Sequence, residues 1–421
     1  MNYHFVKRAC APSRIETECR SCGGDSLEAI LDLGSTPLAD RLVRPEAHDA
    51  PEPAFPLLVA FCHDCALVQI LETVAPEILF ADSYPYYSSF SPALMEHSRA
   101  NVAQRIAERG VGPSSLVIEL ASNDGYLLRN YVEQGVPVLG IDPAEGPAAA
   151  AHSVGVPTLC DFFTETLAAQ IVDTHGQADI VHGNNVLAHV ADTNGFVAGI
   201  RTILKPDGVA VLEMPYLLRL IEHVEFDTIY HEHLCYFSLT ALDRLFRRHG
   251  LFVNRVEELS IHGGSLRIFV EPFEAVGPSV EAMLGREKMI GLDRVDFFAR
   301  FADRVEALRE SLVGLIGRLK AEGHSIAAYG AAAKGATLLN YCGLGTDHLD
   351  FVVDRNVNKH GWLMPGAHLP ILGTEALIEM KPDYVLMLSW NFADEILVQQ
   401  SEYRDAGGCF IIPVPEPRLL R

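Results

Sequence analysis

The sequence predicts an α/β protein with a small cysteine-rich N-terminal unit followed by two larger units built on parallel sheets. Two CxxC pairs lie within the first 80 residues. Near residues 116–128, and again near residues 325–340, an apolar strand runs through a loop of small residues into a helix. A chain of 421 residues is too long for a single hydrophobic core. We therefore predict domains at residues 1–80, 81–255 and 256–421.

The composition argues against several classes of partner. Lys and Arg number 33 and Asp and Glu number 55, which gives a net charge of −22 and disfavours nucleic acid and anionic membranes. No apolar run approaches the length needed to span a bilayer, and the first residues lack the apolar stretch of a signal peptide. We expect a monomeric cytoplasmic protein without membrane or nucleic-acid partners. The nine cysteines are then not expected to form disulfides.

Four of these cysteines are spaced to hold one metal ion. The pairs Cys19/Cys22 and Cys62/Cys65 are separated by 39 residues, 23 to 61, and four thiolates suit a tetrahedral Zn²⁺. The alternatives are two redox pairs or four buried thiols, but neither pair opens a helix as a thioredoxin-type motif does. Four sulfur ligands leave no open position, so we predict a structural zinc site.

The central unit contains a cofactor-binding pattern. A predicted buried strand ends in Ala-Ser-Asn-Asp-Gly, a loop that lets a ligand approach the backbone and the N–H groups of a helix. The next strand ends at Asp142, where nucleotide-binding α/β folds place an acid on the ribose hydroxyls. The single glycine fits poorly to a dinucleotide fingerprint, and an ordinary βαβ turn is the alternative. The pattern resembles motif I of class I S-adenosylmethionine (SAM) methyltransferases, which implies SAM contacts at Glu119, Ala121, Asn123, Gly125, Tyr126 and Asp142.

Two later strand ends extend this predicted site. Asp161 and Phe162 follow the third strand, where an acid and an aromatic ring contact the adenine in SAM folds; the alternative is that Phe162 belongs to the core. The fourth strand ends in Asn184 and Asn185, with His189 on the following turn. Open α/β sheets bind ligands at the carboxyl ends of their strands, which favours a role in binding or chemistry for these residues.

Polar and aromatic side chains are concentrated in Tyr-His-Glu-His at 230–233. His231 and His233 point in opposite directions on a strand and about 200° apart on a helix, so they do not readily share one metal ion. General acid/base chemistry is therefore the favoured reading, with a polar surface loop as the alternative. Tyr84 lies in a tyrosine- and serine-rich segment that either packs or lines a sugar pocket.

The third unit repeats the strand, small-residue loop and helix, and its next strand ends at Asp354. Phosphate-cradling loops have this form, although the sequence is not a Walker A motif. We predict a second Rossmann-like unit for a nucleotide diphosphate, whose charge Lys334 and Lys359 would offset. The predicted nucleotide contacts are Tyr329, Gly330, Lys334, Thr337, Asn340, Asp354 and Lys359.

Taken together, the motifs resemble the SAM-dependent sugar C-methyltransferase family of antibiotic deoxysugar pathways, from Cys19 to about Pro417. They are the two cysteine pairs, ELASNDGYLL, YHEHLCYFS, YGAAAKGATLLNY and FIIPVPE. The family members that the chain resembles most methylate C-3 of a TDP-linked 4-keto sugar, in particular a 3-amino sugar. The resemblance implies a class I SAM methyltransferase core between the zinc-binding domain and a C-terminal domain that binds the TDP-sugar.

The resemblance also assigns roles in the chemistry. His233 is the expected base, with Glu232 as its orienting group or as an alternative base; a tyrosine phenolate is a further alternative. Tyr230 and His189 are expected to hydrogen-bond the sugar or its developing oxyanion, and Tyr84 to line the pocket.

Two other functions compete with this reading. A TDP-4-keto-sugar epimerase would use the same enolate chemistry without SAM, and the motif around Glu119 disfavours it. A non-catalytic zinc-ribbon adaptor is disfavoured by the acidic charge and the histidine–tyrosine cluster.

Overall fold

A computed structural model describes residues 13–79 and 87–421. In these residues the chain forms three α/β or β units in succession, so the predicted fold class is confirmed. Tyr84 lies outside the described residues.

The N-terminal unit is a small antiparallel sheet. Its strands β2, β3 and β4 lie side by side, and the short strands β1 and β5 pair separately. The elements are β1 (Ser13–Ile15), β2 (Leu27–Pro37), β3 (Ala54–Cys62), β4 (Val68–Ile70), β5 (Glu72–Val74) and helix α1 (Pro76–Leu79).

The central unit is a mixed sheet with helices on its faces. Its strands are β6 (Val117–Leu120), β7 (Val138–Ile141), β8 (Thr158–Leu159), β9 (Ala178–Asn184), β10 (Leu204–Pro215), β11 (Cys235–Tyr236), β12 (Phe252–Leu259) and β13 (Ser265–Glu271). Its helices are α2 (Pro92–Arg109), α3 (Arg129–Val132), α4 (Glu145–Ser153), α5 (Glu165–His175), α6 (Thr193–Ile203), α7 (Leu217–His223) and α8 (Leu239–Arg248).

The strand order of this sheet is β12-β13-β10-β9-β6-β7-β8 within the described residues. Strand β13 is antiparallel to both of its neighbours, and the remaining pairs are parallel. Strand β11 instead joins the N-terminal sheet beside β4. All four residues of β6 are buried, because helices cover both faces of a parallel sheet.

Local sequence determines where helix α2 begins and ends. The Ser91 side chain accepts a hydrogen bond from Leu94 N, Pro92 occupies the first helical turn, and Gly110 ends the helix in the left-handed conformation at φ 63°. These are the residue types that such positions favour, and they explain why α2 has these limits.

The C-terminal unit is a second, mostly parallel sheet with strand order β16-β15-β14-β17-β18-β19 in the described residues. Its strands are β14 (Ile326–Tyr329), β15 (Val352–Val353), β16 (Ile371–Leu372), β17 (Tyr384–Met387), β18 (Cys409–Ile412) and β19 (Arg418–Leu420). The helices that lead into it or surround it are α9 (Pro278–Ile290), α10 (Phe301–Ala321), α11 (Ala333–Cys342), α12 (Ala376–Met380), α13 (Ala393–Gln399) and α14 (Ser401–Asp405).

The structure corrects the predicted boundary between the second and third domains. Position 255/256 falls inside β12, and β13 also belongs to the central sheet, where it pairs with β10. The helical stretch after residue 277 is what separates the two sheets, so the division lies after Glu271. None of the helices in the described residues is both long enough and apolar enough to cross a membrane.

Candidate active site

The four cysteines of the N-terminal unit converge on one point. Their Sγ atoms all lie within 4.8 Å of one another. The pairs Cys19–Cys65 and Cys22–Cys62 have Sγ–Sγ distances of 3.5 and 3.6 Å, close to the roughly 3.8 Å expected when four thiolates surround Zn²⁺ at about 2.3 Å. The donor set therefore fits a structural zinc ion.

Two matching turns shape this cluster. Gly23 follows Cys22 and Ala66 follows Cys65, and both have a left-handed backbone, with φ 73° and 63°. Gly23 N donates to Cys19 O, and Ala66 N donates to Cys62 O, each at 2.8 Å. His63 instead contacts Glu28 at 2.9 Å on the surface, so it is not a fifth ligand.

The loop after β6 has the geometry of a ligand-binding turn. Ala121 and Asn123 are left-handed, at φ 55° and 48°, and Gly125 is at φ 76°. Asp142, at the end of β7, accepts from Asn123 N at 2.8 Å and from Ala144 N at 2.9 Å. The Asp142 carboxylate at the end of β7 thereby holds in place the loop that follows β6.

Glu119 is a buried carboxyl group that lacks a protein partner in the described residues. It is 0% exposed, and both of its oxygens are without a hydrogen bond. Burial, followed by the nearby charges of Asp142, Asp124 and Glu213, raises the pKa of Glu119 well above its usual range. A buried acceptor of this kind requires donors, and SAM carries an α-ammonium group, ribose hydroxyls and an adenine amino group.

The other predicted SAM residues surround this loop. Asn184 Nδ2 donates to the Tyr126 hydroxyl at 3.3 Å, and Asn185 has a left-handed backbone at φ 52°. Asp161 is exposed, and Phe162 is 50% exposed. The alternative that Phe162 belongs to the core is therefore wrong; Phe163 packs there instead, 5.3 Å from the ring of Phe196.

The end of the tyrosine- and serine-rich segment, at Ser88 and Ser89, also touches this loop. Ser88 N donates to Asn123 Oδ1 at 2.9 Å, and Ser89 N donates to Asp124 Oδ2 at 3.1 Å. The residues immediately before α2 thus close on the cofactor loop. These contacts join positions 35 residues apart, which no local pattern reveals.

His233 and Tyr230 form a hydrogen-bonded pair. The Tyr230 hydroxyl lies 2.8 Å from His233 Nε2, and His233 Nδ1 lies 2.7 Å from the Thr228 carbonyl oxygen. Because a carbonyl can only accept, Nδ1 carries the proton and Nε2 accepts from Tyr230. Burial, followed by the neighbouring His189, lowers the pKa of His233 well below its usual range, so the ring is neutral and able to accept a proton.

His189 lies beside this pair, with its ring 4.6 Å from the ring of His233. Burial lowers the pKa of His189 to about 4. The structure thus brings together three of the predicted catalytic residues, His233, Tyr230 and His189.

The predicted role of Glu232 as the orienting group of His233 is wrong, because the Thr228 carbonyl occupies that position. Glu232 instead hydrogen-bonds Asp40 of the N-terminal unit. Burial and the charge of Asp40 raise the pKa of Glu232 well above its usual range, which indicates that the two carboxyl groups share a proton. Asp40 was not among the predicted site residues.

His231 points to a different part of the molecule from His233. Its Nε2 lies 3.1 Å from the carbonyl oxygen of Pro56 on β3. His231 therefore attaches the segment to the zinc-binding sheet, and the expectation that the two histidines do not share an ion agrees with these contacts.

Lys334 is linked through Trp390 to the segment that carries His233. Its Nζ lies 3.8 Å from the ring centroid of Trp390 and 3.1 Å from Asn391 Oδ1. Trp390 Nε1 donates to Asp227 Oδ2 at 2.6 Å, one residue before Thr228. Burial lowers the pKa of Lys334, and the charges of Asp227 and Glu225 oppose that shift.

The loop after β14 repeats the arrangement of the loop after β6. Asp354 accepts from Ala331 N and from Asn356 N, both at 2.7 Å. Gly330, beside Tyr329 at the strand end, is left-handed at φ 98°, and Lys359 Nζ donates to Ala331 O at 2.6 Å.

Two predicted nucleotide contacts make hydrogen bonds to backbone carbonyl groups of their own unit. Thr337 is 3% exposed, and its hydroxyl lies 3.5 Å from the Ala333 carbonyl oxygen. Asn340 Nδ2 donates to the carbonyl oxygens of Ala336 and Pro365. Their contact with the nucleotide stays a prediction.

The central sheet order, the acid-held loop and the buried carboxyl define a class I SAM-dependent methyltransferase with an N-terminal zinc-binding domain. Comparison with family models agrees. The chain matches "Putative zinc binding domain" at residues 19–80, "Methyltransferase domain" at 94–255 and "C-methyltransferase C-terminal domain" at 260–415.

One relative matches nearly the whole chain. C-methyltransferase NovU from Streptomyces niveus is 38% identical over 406 residues, 96% of each chain. This chain therefore belongs to the C-methyltransferase family, and the resemblance drawn from its motifs is confirmed.

Other matches are partial. A ubiquinone biosynthesis O-methyltransferase from Rhodopseudomonas palustris is 31% identical over 98 residues, 23% of this chain and 38% of that one. Among solved structures, a complex of the Haloferax volcanii Trm112 activator with a methyltransferase matches 43% of this chain and 93% of that one, at 18% identity and a TM-score of 0.35.

Removal of zinc is expected to destabilise the protein, because the free energy of binding a structural zinc ion contributes directly to folding. We expect wild-type protein to contain one zinc ion and to melt at a lower temperature after chelation. Cys62→Ser is expected to lack zinc and to melt like the chelated protein. Cys160→Ser, at an exposed cysteine, is the matched control; zinc content and thermal melts provide the measurement, and an unchanged melt after chelation contradicts the assignment.

Loss of the Asp142 carboxylate is expected to weaken SAM binding. Asp142→Ala removes two loop hydrogen bonds and an acceptor for the ribose, which should cost about 2 kcal/mol, or about 30-fold in Kd, by calorimetry. Asp354→Ala, which removes the equivalent acid of the C-terminal unit, should leave the Kd for SAM unchanged. Equal effects of the two variants on SAM affinity would refute the assignment of the cofactor loop.

Glu225 is expected to make stability depend on pH. Burial raises the pKa of Glu225 to about 7, against about 4.3 in the unfolded chain. The folded state holds the extra proton between these values, so its stability falls as pH rises from about 4 to 7. Glu225→Gln lacks this titrating group and should not lose stability over this range. Relative to wild type, its free energy of unfolding should therefore rise by about 2 kcal/mol from about pH 5 to about pH 8, as measured by urea titration.

Glu281→Gln, at an exposed position of α9, is the control for that measurement and should follow the wild-type pH profile. Parallel profiles of wild type and Glu225→Gln would contradict the raised pKa.

Proposed function

We propose that this protein methylates C-3 of a TDP-linked 4-keto-deoxysugar, with a 3-amino sugar as the preferred substrate, in antibiotic deoxysugar biosynthesis. The observation that carries the proposal is the neutral His233, whose Nε2 accepts from Tyr230 while its Nδ1 is held by Thr228. Carbon methylation requires a carbon nucleophile, and a carbon next to a ketone becomes one when a base removes its proton.

The proton follows the hydrogen bond that is already present. The Tyr230 oxygen takes the proton from C-3 as its own hydroxyl proton passes to His233 Nε2. The electron pair of the C–H bond forms the C-3=C-4 double bond, and the carbonyl electrons move to the oxygen. His189 packs its ring against that of His233 and so helps to hold the Tyr230–His233 pair in place from the side of the central sheet.

SAM, when bound at the loop after β6, supplies an electrophilic methyl group. The enolate carbon forms the new C–C bond while the S–CH₃ bond breaks, and the ketone is regenerated. The residues around Glu119 hold the donor, and the buried site excludes water that would otherwise protonate the enolate.

The TDP portion is proposed to bind the loop after β14. The backbone at Gly330 and Ala331 approaches the diphosphate, and Lys359 supplies positive charge beside it. The acid-held geometry that Asp354 shares with Asp142 supports a nucleotide site.

The reaction is tested by incubation with SAM and a panel of TDP-4-keto deoxysugars. Mass spectrometry should show one product heavier by a methylene unit together with S-adenosylhomocysteine. Formation of a product of unchanged mass without SAM would favour an epimerase. Absence of SAM binding by calorimetry would instead favour a non-catalytic adaptor.

The assignment of the base is tested by hydrogen–deuterium exchange at C-3 in D₂O, with S-adenosylhomocysteine in the cofactor site. His233→Asn and Tyr230→Phe should each slow exchange by at least about 100-fold, the usual contribution of general base catalysis. His175→Asn, at an exposed histidine of α5, is the matched control. Exchange at the wild-type rate in either active-site variant would remove that residue from the proton path.

A further inference from the structure

Lys334 is a cation with donors to spare. An ammonium group has three N–H donors, and in the described residues the hydrogen bond to Asn391 Oδ1 uses one of them. The flat face of Trp390 lies on another side of the ammonium, 3.8 Å away. The side chain is half-buried, so water cannot fully solvate it, and the remaining donors favour an oxygen from a ligand.

Lys334, in the first turn of α11, is connected through its surroundings to the segment that carries His233. Trp390, which stacks on Lys334, donates to Asp227, and Asp227 precedes the Thr228 carbonyl that holds His233. Lys359, in contrast, donates to the loop itself at Ala331 O. Lys334 and Lys359 belong to the same unit but contact different parts of it.

We propose that Lys334 binds the C-4 oxygen of the sugar and stabilises the negative charge that this oxygen acquires when C-3 loses its proton. This inference rests on the proposed function and replaces the sequence-based assignment of Lys334 to the diphosphate. Lys359 remains with the nucleotide.

The charges of the step balance with these residues alone. The C-3 proton is taken up by the Tyr230–His233 pair, and the carbonyl electron pair moves to the C-4 oxygen beside the ammonium. No proton transfer from Lys334 is required, and methylation at C-3 returns the electron pair and restores the ketone. A donor placed where charge develops acts on the rate more than on substrate affinity.

A cation next to an imidazole base also opposes protonation of that base. The charge of Lys334 contributes, after burial and His189, to the low pKa of His233. The same charge favours the enolate that forms at the same moment. The negative enolate and the positive imidazolium form in the same step, and the stability of this ion pair therefore depends on Lys334 and His233 together.

The test separates chemistry from nucleotide binding. Lys334→Met should lower kcat for methylation and slow C-3 exchange in D₂O by at least about 100-fold, the range seen when one oxyanion donor is removed. Its Kd for TDP alone should stay within about twofold of wild type. Lys334→Arg, which keeps the charge, should recover part of the exchange rate.

Lys359→Met provides the opposite pattern, with weaker TDP binding and less change in the exchange rate at saturating substrate. Lys288→Met, at an exposed lysine of α9, should match wild type in both measurements. The affinity for SAM, measured for every variant, reports on folding; if Lys334→Met loses it, Lys334→Gln replaces that variant.

Two results would overturn the inference. Wild-type exchange in Lys334→Met would remove Lys334 from the chemistry, and a large loss of TDP affinity would return it to the diphosphate. If wild-type enzyme exchanges C-3 hydrogen in none of the TDP-4-keto sugars, the proposed function itself fails. That outcome is distinct, because it is seen without any substitution.

Discussion

The pairing of β11 with β4 is the contact on which the candidate active site depends. Strand β11 begins two residues after His233 and runs antiparallel to β4, with Cys235 opposite Gln69 and Tyr236 opposite Val68. Between them, Leu234 N donates to Ala188 O at 2.7 Å and Leu234 O accepts from Ile70 N at 3.0 Å. A strand edge of the zinc-binding sheet thus fixes the end of the catalytic segment and brings His189 against His233. A zinc ion held by the four cysteines would act on this site through the sheet that it stabilises.

The other end of the segment is held by the C-terminal unit. Asp227 is fully buried and accepts from Trp390, so its neighbour Thr228 is fixed in position. The Thr228 carbonyl in turn determines which nitrogen of His233 can accept a proton. A neutral orienting group suits this site, because a carboxylate in its place would raise the pKa of the imidazole against the burial that lowers it. The Tyr230–His233 pair is therefore held in place by contacts with all three units.

Local sequence signals predicted the parts of this structure that depend on nearby residues. The cysteine pairs and the two small-residue loops with their strand-end acids follow from turn chemistry and spacing over a few positions. The missed features join distant positions: Asp40 with Glu232, Ser88 with Asn123, and Trp390 with Asp227. Strand β13 was assigned to the wrong unit for the same reason, because apolar alternation identifies a strand but not its partner. The resemblance implied that Glu232 orients His233, yet the chain turns here, with His233 N donating to Tyr230 O, and the Thr228 carbonyl takes that role.

The two acid-held loops share one backbone arrangement but differ in the charged side chains beside them. Asp142 and Asp354 each accept from the loop of the preceding strand, at Asn123 N and Ala331 N. Four positions before those amides, the first loop has the buried Glu119 and the second has the buried Ala327. The first loop therefore faces a buried acceptor without a protein partner among the described residues, which suits the donor groups that SAM carries. The second lacks that carboxyl and has Lys359 bound to its own carbonyl, so it suits an anion, although the chain as a whole carries a charge of −22. The two loops thus share their backbone arrangement and differ in one acidic side chain and one lysine, and the Tyr230–His233 pair is held by contacts from both sides.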